Sequence, residues 1–344
     1  MFLRARRPAC RPSSRRQPRE ILCIDCRDCD SLGRELSLSL GGVRTPAARR
    51  RPSLSPNGMV DCRPPAAALV KAKTALPNEE KPMSLTAEQL FAVKGLVIII
   101  TGAASGLGLA ISQTMAANGA DVILVDRNEK ELRRVSEEII PGAEVAPVDV
   151  ADSDAIRRIV DGVVARKGRL DVMFANAGIS GGAGIRSPQG RIENVDLAAW
   201  SEVLAINQTG AFATLQAAAR HMKAQRSGRI VVTASVGGLR GATATAYAYA
   251  AAKAAVVNLV RQAALELATF DVKVNAIAPG FFRTGLGGGR LLDETHTAPL
   301  EAIVPMRRLG MPHEIAGVSL LLASPAASYI TGSIFTVDGG ITAA

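Results

Sequence analysis

The chain from residue 83 to 344 is predicted to fold as an α/β domain, a doubly wound parallel sheet with helices on both faces. Three observations predict it. Short runs rich in Val and Ile recur, segments of helical period separate them, and the alternation continues to the end of the chain. A sheet of this kind often needs about 250 residues as one unit, so a single domain accounts for the whole stretch.

Taken in order, the runs predict a strand around Leu96 to Thr101, a helix to about Asn118 and a strand Asp121 to Val125. A helix near Glu129 to Ile140 and a strand Val145 to Val148 complete a βαβαβ half. A helix Asp154 to Arg166, a strand Leu170 to Ala175, a long helix Leu197 to Gln225 and a strand Arg229 to Ala234 follow. The last elements are a helix Ala246 to Thr269, a strand Val272 to Ile277, a helix His313 to Leu322 and a strand Ile334 to Val337. Only 3% of residues are aromatic, so the core must be filled by Ala, Val, Ile and Leu.

The net charge of +10 suggests nucleic acid until it is divided along the chain. Residues 1–82 carry 17 Lys and Arg against 8 Asp and Glu, which leaves 24 basic and 23 acidic residues for the rest. The main domain is nearly neutral, so no nucleic-acid partner is expected for it, and no apolar run long enough to span a membrane is seen. All five cysteines, Cys10, Cys23, Cys26, Cys29 and Cys62, lie in the basic segment, so the domain cannot hold a disulfide and suits a reducing, cytoplasmic setting.

Residues 1–82 are rich in Arg, Pro and Ser without sustained periodicity and are expected to be disordered or outside the functional chain. Cys23, Cys26 and Cys29 offer three thiolates but no second paired ligand set, so no metal site is assigned. The seven Arg of the first nineteen residues leave mitochondrial targeting and a basic nucleic-acid tail as alternatives. Met83 or Met59 is the expected start of the working chain.

After the first strand comes T-G-A-A-S-G-L-G, in which Gly102, Gly106 and Gly108 lead into a helix. Glycines allow the sharp turn and close approach that a pyrophosphate at a helix start requires, the signature of a Rossmann-type dinucleotide site. Asp126 closes the second strand 18 residues after Gly108, where a carboxylate accepts hydrogen bonds from ribose hydroxyls and repels a 2'-phosphate. NAD is therefore expected over NADP, although Arg127 follows directly and is the counter-argument.

In A-Y-A-Y-A-A-A-K, Tyr249 and Lys253 stand one helical turn apart, and a neighbouring ammonium is expected to draw the phenol toward the phenolate. Tyr247 points elsewhere. Ser235 ends a strand 14 residues earlier, at the edge where ligands bind, with Thr233 on the same face as the near substitute.

These segments, with N-A-G at Asn176 to Gly178, Asn207, P-G at Pro279 and Gly280, and the closing Y-I-T-G-S-I-F-T-V-D-G-G, resemble the short-chain dehydrogenase/reductase family over residues 90 to 344. The resemblance implies Tyr249 as acid/base, Lys253 as the group that lowers its pKa and grips the nicotinamide ribose, Ser235 as the holder of the substrate oxygen, and Asn207 as the holder of a relay water. It further implies cofactor contacts from Gly102, Ser105, Gly106, Leu107, Gly108, Asp126, Asp149 and Val150. Asn176, Ala177, Gly178, Pro279, Gly280 and Thr284 complete that set, together with Tyr249 and Lys253. The Ser235 to Tyr249 interval is about one residue longer than usual in such proteins.

The function implied is hydride transfer between NAD and a secondary alcohol or ketone by the Asn207, Ser235, Tyr249 and Lys253 set. An NADPH-dependent 3-oxoacyl reductase, and a non-catalytic NAD-sensing or RNA-binding protein on the same fold, stand as alternatives. Ala-rich helices and the resemblance imply a homo-oligomer, a dimer or tetramer. Phe281 to Pro305, with four glycines, reads as a flap over the substrate.

Overall fold

The computed structural model describes residues 84–344. The expectations for the basic segment (its disorder, the Cys23, Cys26 and Cys29 triplet, the targeting reading and the start at Met83 or Met59) lie outside the described residues.

Among the described residues seven strands form one sheet: β1 (Val97–Thr101), β2 (Asp121–Asp126), β3 (Glu144–Pro147), β4 (Val172–Ala175), β5 (Gly228–Thr233), β6 (Val272–Pro279) and β7 (Ile334–Val337). All neighbours are parallel, in the order β3-β2-β1-β4-β5-β6-β7. Every residue of β1 is buried, which is why its V-I-I-I-T run shows no alternation: a strand covered on both faces has no polar side. The chain builds outward from β1 to β3, then returns across β1 to β4. That reversal opens a crevice at the carboxyl ends of β1 and β4.

The helices are α1 (Ala87–Leu90), α2 (Gly106–Ala117), α3 (Glu129–Arg134), α4 (Ser153–Lys167), α5 (Leu197–Leu204), α6 (Ala211–Gln225), α7 (Tyr247–Leu267), α8 (Glu294–Glu301) and α9 (Ala316–Ala323). Their starts follow from local chemistry. Thr86 and Gln89 close a reciprocal cap on α1, Asp152 accepts from Ala155 N at α4, and Asp196 accepts from Ala198 N and Ala199 N at α5. Gly168 ends α4 with φ of +74°, a conformation that favours glycine.

Successive strand residues feed opposite cores. Ile99, Ile123, Met173 and Val232 pack with Val160, Ala218, Met222 and Val256 on one face. On the other, Ile98, Ile100, Leu124 and Phe174 pack with Ile111, Met115, Leu132 and Leu322. Alanines at 217, 218, 252 and 264 let helices lie close to the sheet, as the low aromatic content requires.

Several elements depart from the sequence reading; the helix expected from Glu129 to Ile140 is α3 followed by a π-helical turn, Val135–Ile139. The helix expected as one piece from Leu197 to Gln225 is interrupted by a π-helical turn, Ala205–Gly210, between α5 and α6. A π turn is frequent at functional sites, and the one at Ala205–Gly210 carries Asn207. The segment expected as a flap contains α8 and is anchored at its root, where Phe282 is buried and pairs with Gly310 and Arg283 meets Glu301 at 2.8 Å. Among the described residues no helix is long and apolar enough to cross a membrane.

Candidate active site

The crevice is built first by backbone. Thr101 ends β1, and Gly102 and Gly106 then take φ of +70° and +56°, which turn the chain sharply into α2. The Ser105 side chain makes no capping bond, and no acid occupies the first turn of α2. The free N–H groups and the positive end of that helix therefore face the crevice, ready for an anion.

Gly108 allows α2 to approach. A Cβ there would lie 2.0 Å from the Gly102 carbonyl oxygen and 2.6 Å from Asn176 Nδ2. Asn176 in turn ties three strand ends together. Its backbone N donates to Thr101 Oγ1 at 3.0 Å, its Nδ2 to Thr101 O at 3.1 Å, and its Oδ1 accepts from Thr233 Oγ1 at 2.9 Å. Thr101 also accepts from Ala177 N at 3.2 Å. Neither threonine was assigned from sequence. Thr233, read as a substitute for Ser235, has its hydroxyl committed to Asn176 and its carbonyl to Lys253.

At the other end of the crevice, Asp126 accepts from Ala104 N at 3.2 Å and Asn128 N at 3.0 Å, which fixes both carboxylate oxygens. Arg127 leans the other way, toward Asp149 at 3.8 Å, with both side chains about half exposed. A pair so wet contributes little energy, yet it sets a carboxylate beside a cation that would otherwise favour a phosphate.

The reactive groups come from β5 and α7. Ser235 follows β5 in extended backbone, and its Oγ accepts from Gly237 N at 3.1 Å. Lys253 is 3% exposed; its Nζ donates to Thr233 O at 2.7 Å and lies 5.8 Å from the centre of the Tyr249 ring. Burial pulls the Lys253 ammonium down to about 8. Burial also raises the Tyr249 phenol, opposed by a hydrogen bond with Ser235. The expectation that the ammonium governs the phenol is thus modified: in the protein alone burial outweighs it, and Ser235 is the group acting the other way.

Asn207 is fully buried, and both ends of its amide engage one residue: Oδ1 accepts from Ile179 N at 2.8 Å and Nδ2 donates to Ile179 O at 2.7 Å. A Cβ on Gly178 would come within 2.8 Å of Asn207 Oδ1 and 3.6 Å of Lys253 Nζ. The π turn therefore holds the loop after β4 against the lysine.

Lys253 makes a pH prediction with a definite sign. Its ammonium titrates near 10.5 unfolded and about 8 folded, so between those values the unfolded chain binds more protons and stability rises with pH. Below pH 8 the full cost of the buried charge remains. Measured by chemical denaturation at pH 8 and 10, the folded protein should gain on the order of 2 to 3 kcal/mol relative to Lys253→Met. Parallel curves for the two proteins would count against the buried charge.

Two chambers meet here. The larger, about 780 Å³, follows the crevice from Asp126 and Asp149 past Asn176 to Thr284. The smaller, about 390 Å³, is lined by Ser235, Val236, Phe281, Leu291, Ile303 and Ile341 among others. Tyr249 lines both, so its phenol stands at the junction. Of the residues expected from sequence, Gly102, Ser105, Gly106, Leu107, Asp126, Asp149, Val150, Asn176, Ala177, Gly178, Tyr249, Lys253, Pro279, Gly280 and Thr284 all line the larger chamber. Ser235 lines the smaller one. Gly108 and Asn207 sit behind the walls as supports. Among the described residues no cluster of His, Cys, Asp and Glu could hold a metal ion.

A family described as Enoyl-(Acyl carrier protein) reductase matches residues 102–342. The chain is 39% identical over 249 residues to a cis-4-hydroxycyclohexanecarboxylate dehydrogenase of Sinomonas cyclohexanicum, covering 72% of this chain and 96% of that protein. It is 38% identical over 253 residues to a 3-oxoacyl-[acyl-carrier-protein] reductase of Thermotoga maritima, covering 72% and 98%. Among solved structures, levodione reductase superposes with a TM-score of 0.67 at 36% identity, covering 73% of this chain and 99% of that one.

Proposed function

The chain belongs to the short-chain dehydrogenase/reductase family, and from that membership we propose that it oxidises a secondary alcohol, or reduces the matching ketone, with NAD in the larger chamber and Tyr249 as the acid/base. It is an oxidoreductase acting on CH–OH groups with NAD(P). The position of Tyr249 at the junction of the two chambers, beside Ser235 and one turn from Lys253, carries the reading.

The crevice fits a dinucleotide. The bare start of α2 and the glycine turn suit its pyrophosphate, and Asp126 suits an unphosphorylated ribose. The bound cofactor would supply the hydride acceptor or donor. The rest falls to the chain's own side chains: Ser235 holds the substrate oxygen, and Tyr249 takes the alcohol proton or returns it to the ketone. Lys253, fixed by Thr233 O, supplies positive charge beside that phenol, and Asn207 holds the neighbouring loop in place. Proton transfer by a positioned group contributes factors of roughly 100 to 10,000.

The nucleotide preference rests on charge. A carboxylate at Asp126 repels a 2'-phosphate, while Arg127 is already drawn to Asp149. Asp126→Ser should weaken the preference for NAD over NADP by about tenfold or more, read as the ratio of kcat/KM for the two cofactors. An unchanged ratio would place the discrimination elsewhere. The same carboxylate weighs against an NADPH-dependent 3-oxoacyl reductase. An alcohol panel run in parallel with both cofactors tests the whole reading, and turnover restricted to acyl thioesters with NADPH would replace it.

We also propose a homo-oligomer, a dimer or tetramer. Leu197 and Leu265, 75% and 76% exposed on α5 and α7, with Phe212 on α6, leave apolar surface on the Ala-rich helices.

A further inference from the structure

The smaller chamber is apolar for most of its wall, yet its charged lining residues are of one sign. Arg240 and Arg290 line it, and no Asp or Glu side chain does. Arg240 is engaged, its Nη1 donating to Ala344 O at 3.0 Å. Arg290 differs. It belongs to the exposed part of the flap, lines both chambers, and donates only to neutral acceptors: Nε to Gly287 O at 3.1 Å and Nη2 to Gly182 O at 3.3 Å. No carboxylate of the described residues pairs with it.

A guanidinium carries five donors in a planar fork suited to a carboxylate. Two are spent on main-chain carbonyls, which orient the group and neutralise none of its charge. Three remain at the exposed rim of the chamber, next to Leu291, Phe281 and Ile303, where an entering carboxylate can meet them. A carboxylate that reaches this guanidinium gains charge-assisted hydrogen bonds.

We propose that the smaller chamber takes a secondary alcohol or ketone with a compact apolar body ending in a carboxylate, and that Arg290 recognises the carboxylate. The inference rests on the oxidoreductase reading and adds the substrate class to it. Ser235 and Tyr249 hold the reacting oxygen, Val236, Phe281 and Ile341 pack the body, and Arg290 receives the charge. The bonds to Gly182 and Gly287 also make Arg290 a clasp between the flap and the loop after β4. A clasp alone would serve neutral and charged substrates alike.

The test compares cis-4-hydroxycyclohexanecarboxylate with cyclohexanol on the full-length protein with NAD. The ratio of kcat/KM, acid over neutral, is expected to exceed about tenfold in the natural protein, to fall by about 10- to 100-fold in Arg290→Gln, and to recover in part in Arg290→Lys. A ratio near one, or one unmoved by Arg290→Gln, overturns the proposal. Calorimetric binding of cyclohexanecarboxylate and of its primary amide to the NAD-loaded protein supplies a readout free of turnover. Tighter binding of the acid, lost in Arg290→Gln, supports the anion site even if neither alcohol reacts, and that result would count against the oxidoreductase reading instead. Equal binding of acid and amide, with cyclohexanol turned over, removes the anion site and leaves that reading standing.

Discussion

Tyr249→Phe is expected to lower kcat by about a thousandfold or more while NAD binding persists. The substitution keeps the ring and removes one oxygen. Packing on α7 and the position of Lys253 beside Thr233 are therefore retained, and only the proton-transfer group at the chamber junction is lost. Ser235 and Tyr249 would act on the same substrate oxygen, so Ser235→Ala in the Phe background should add little. Stopped-flow mixing of the variant with NAD and alcohol separates the outcomes. Bound NAD without a burst of reduced cofactor supports the assignment, and turnover within about tenfold of the natural protein would move the acid/base role to another residue.

Much of this site was legible because its parts are local in sequence. The glycine turn, Asp126 at the end of β2 and the one-turn spacing of Tyr249 and Lys253 each need only a few neighbouring residues to be read. The strands were equally plain, since a sheet buried on both faces must be written in Val and Ile. What sequence did not show depends on pairs far apart in the chain. Thr101 and Thr233 became structural only when Asn176, 75 and 57 residues away, was placed between them.

The π turn at Ala205–Gly210 was illegible for a different reason. Its A-I-N-Q-T-G run carries no signal for one extra residue, and what sets the turn apart is the long-range tie from Asn207 to Ile179. Arg290 was hidden by its setting: one cation in a run of glycines reads as a solvated loop until the chamber it lines is seen. The acidity of Tyr249 was misjudged because spacing shows the nearby ammonium and says nothing of burial, which is the larger influence on both groups.

The same long-range closeness makes Gly108 intolerant of a side chain. Gly108→Ala places a methyl carbon 2.0 Å from the Gly102 carbonyl oxygen and 2.6 Å from Asn176 Nδ2. Neither obstacle can yield cheaply. The carbonyl belongs to the turn that Gly102 makes at φ of +70°, and the amide is held by Thr101 and Thr233. Relief requires α2 to move away from β1, carrying with it the N–H groups that face the crevice. Overpacking costs about 1 to 3 kcal/mol, and a misplacement near 1 Å costs about a hundredfold where geometry is tight, so both stability and NAD affinity should fall. Gly317→Ala in α9 is the control. A Cβ there meets nothing within 4 Å, and added helix preference should leave stability level or raise it by about 0.5 to 1 kcal/mol. Thermal unfolding and NAD titration of the two variants read the contrast, and natural NAD affinity in Gly108→Ala would show that α2 does not need its close seat against the turn to present its amides.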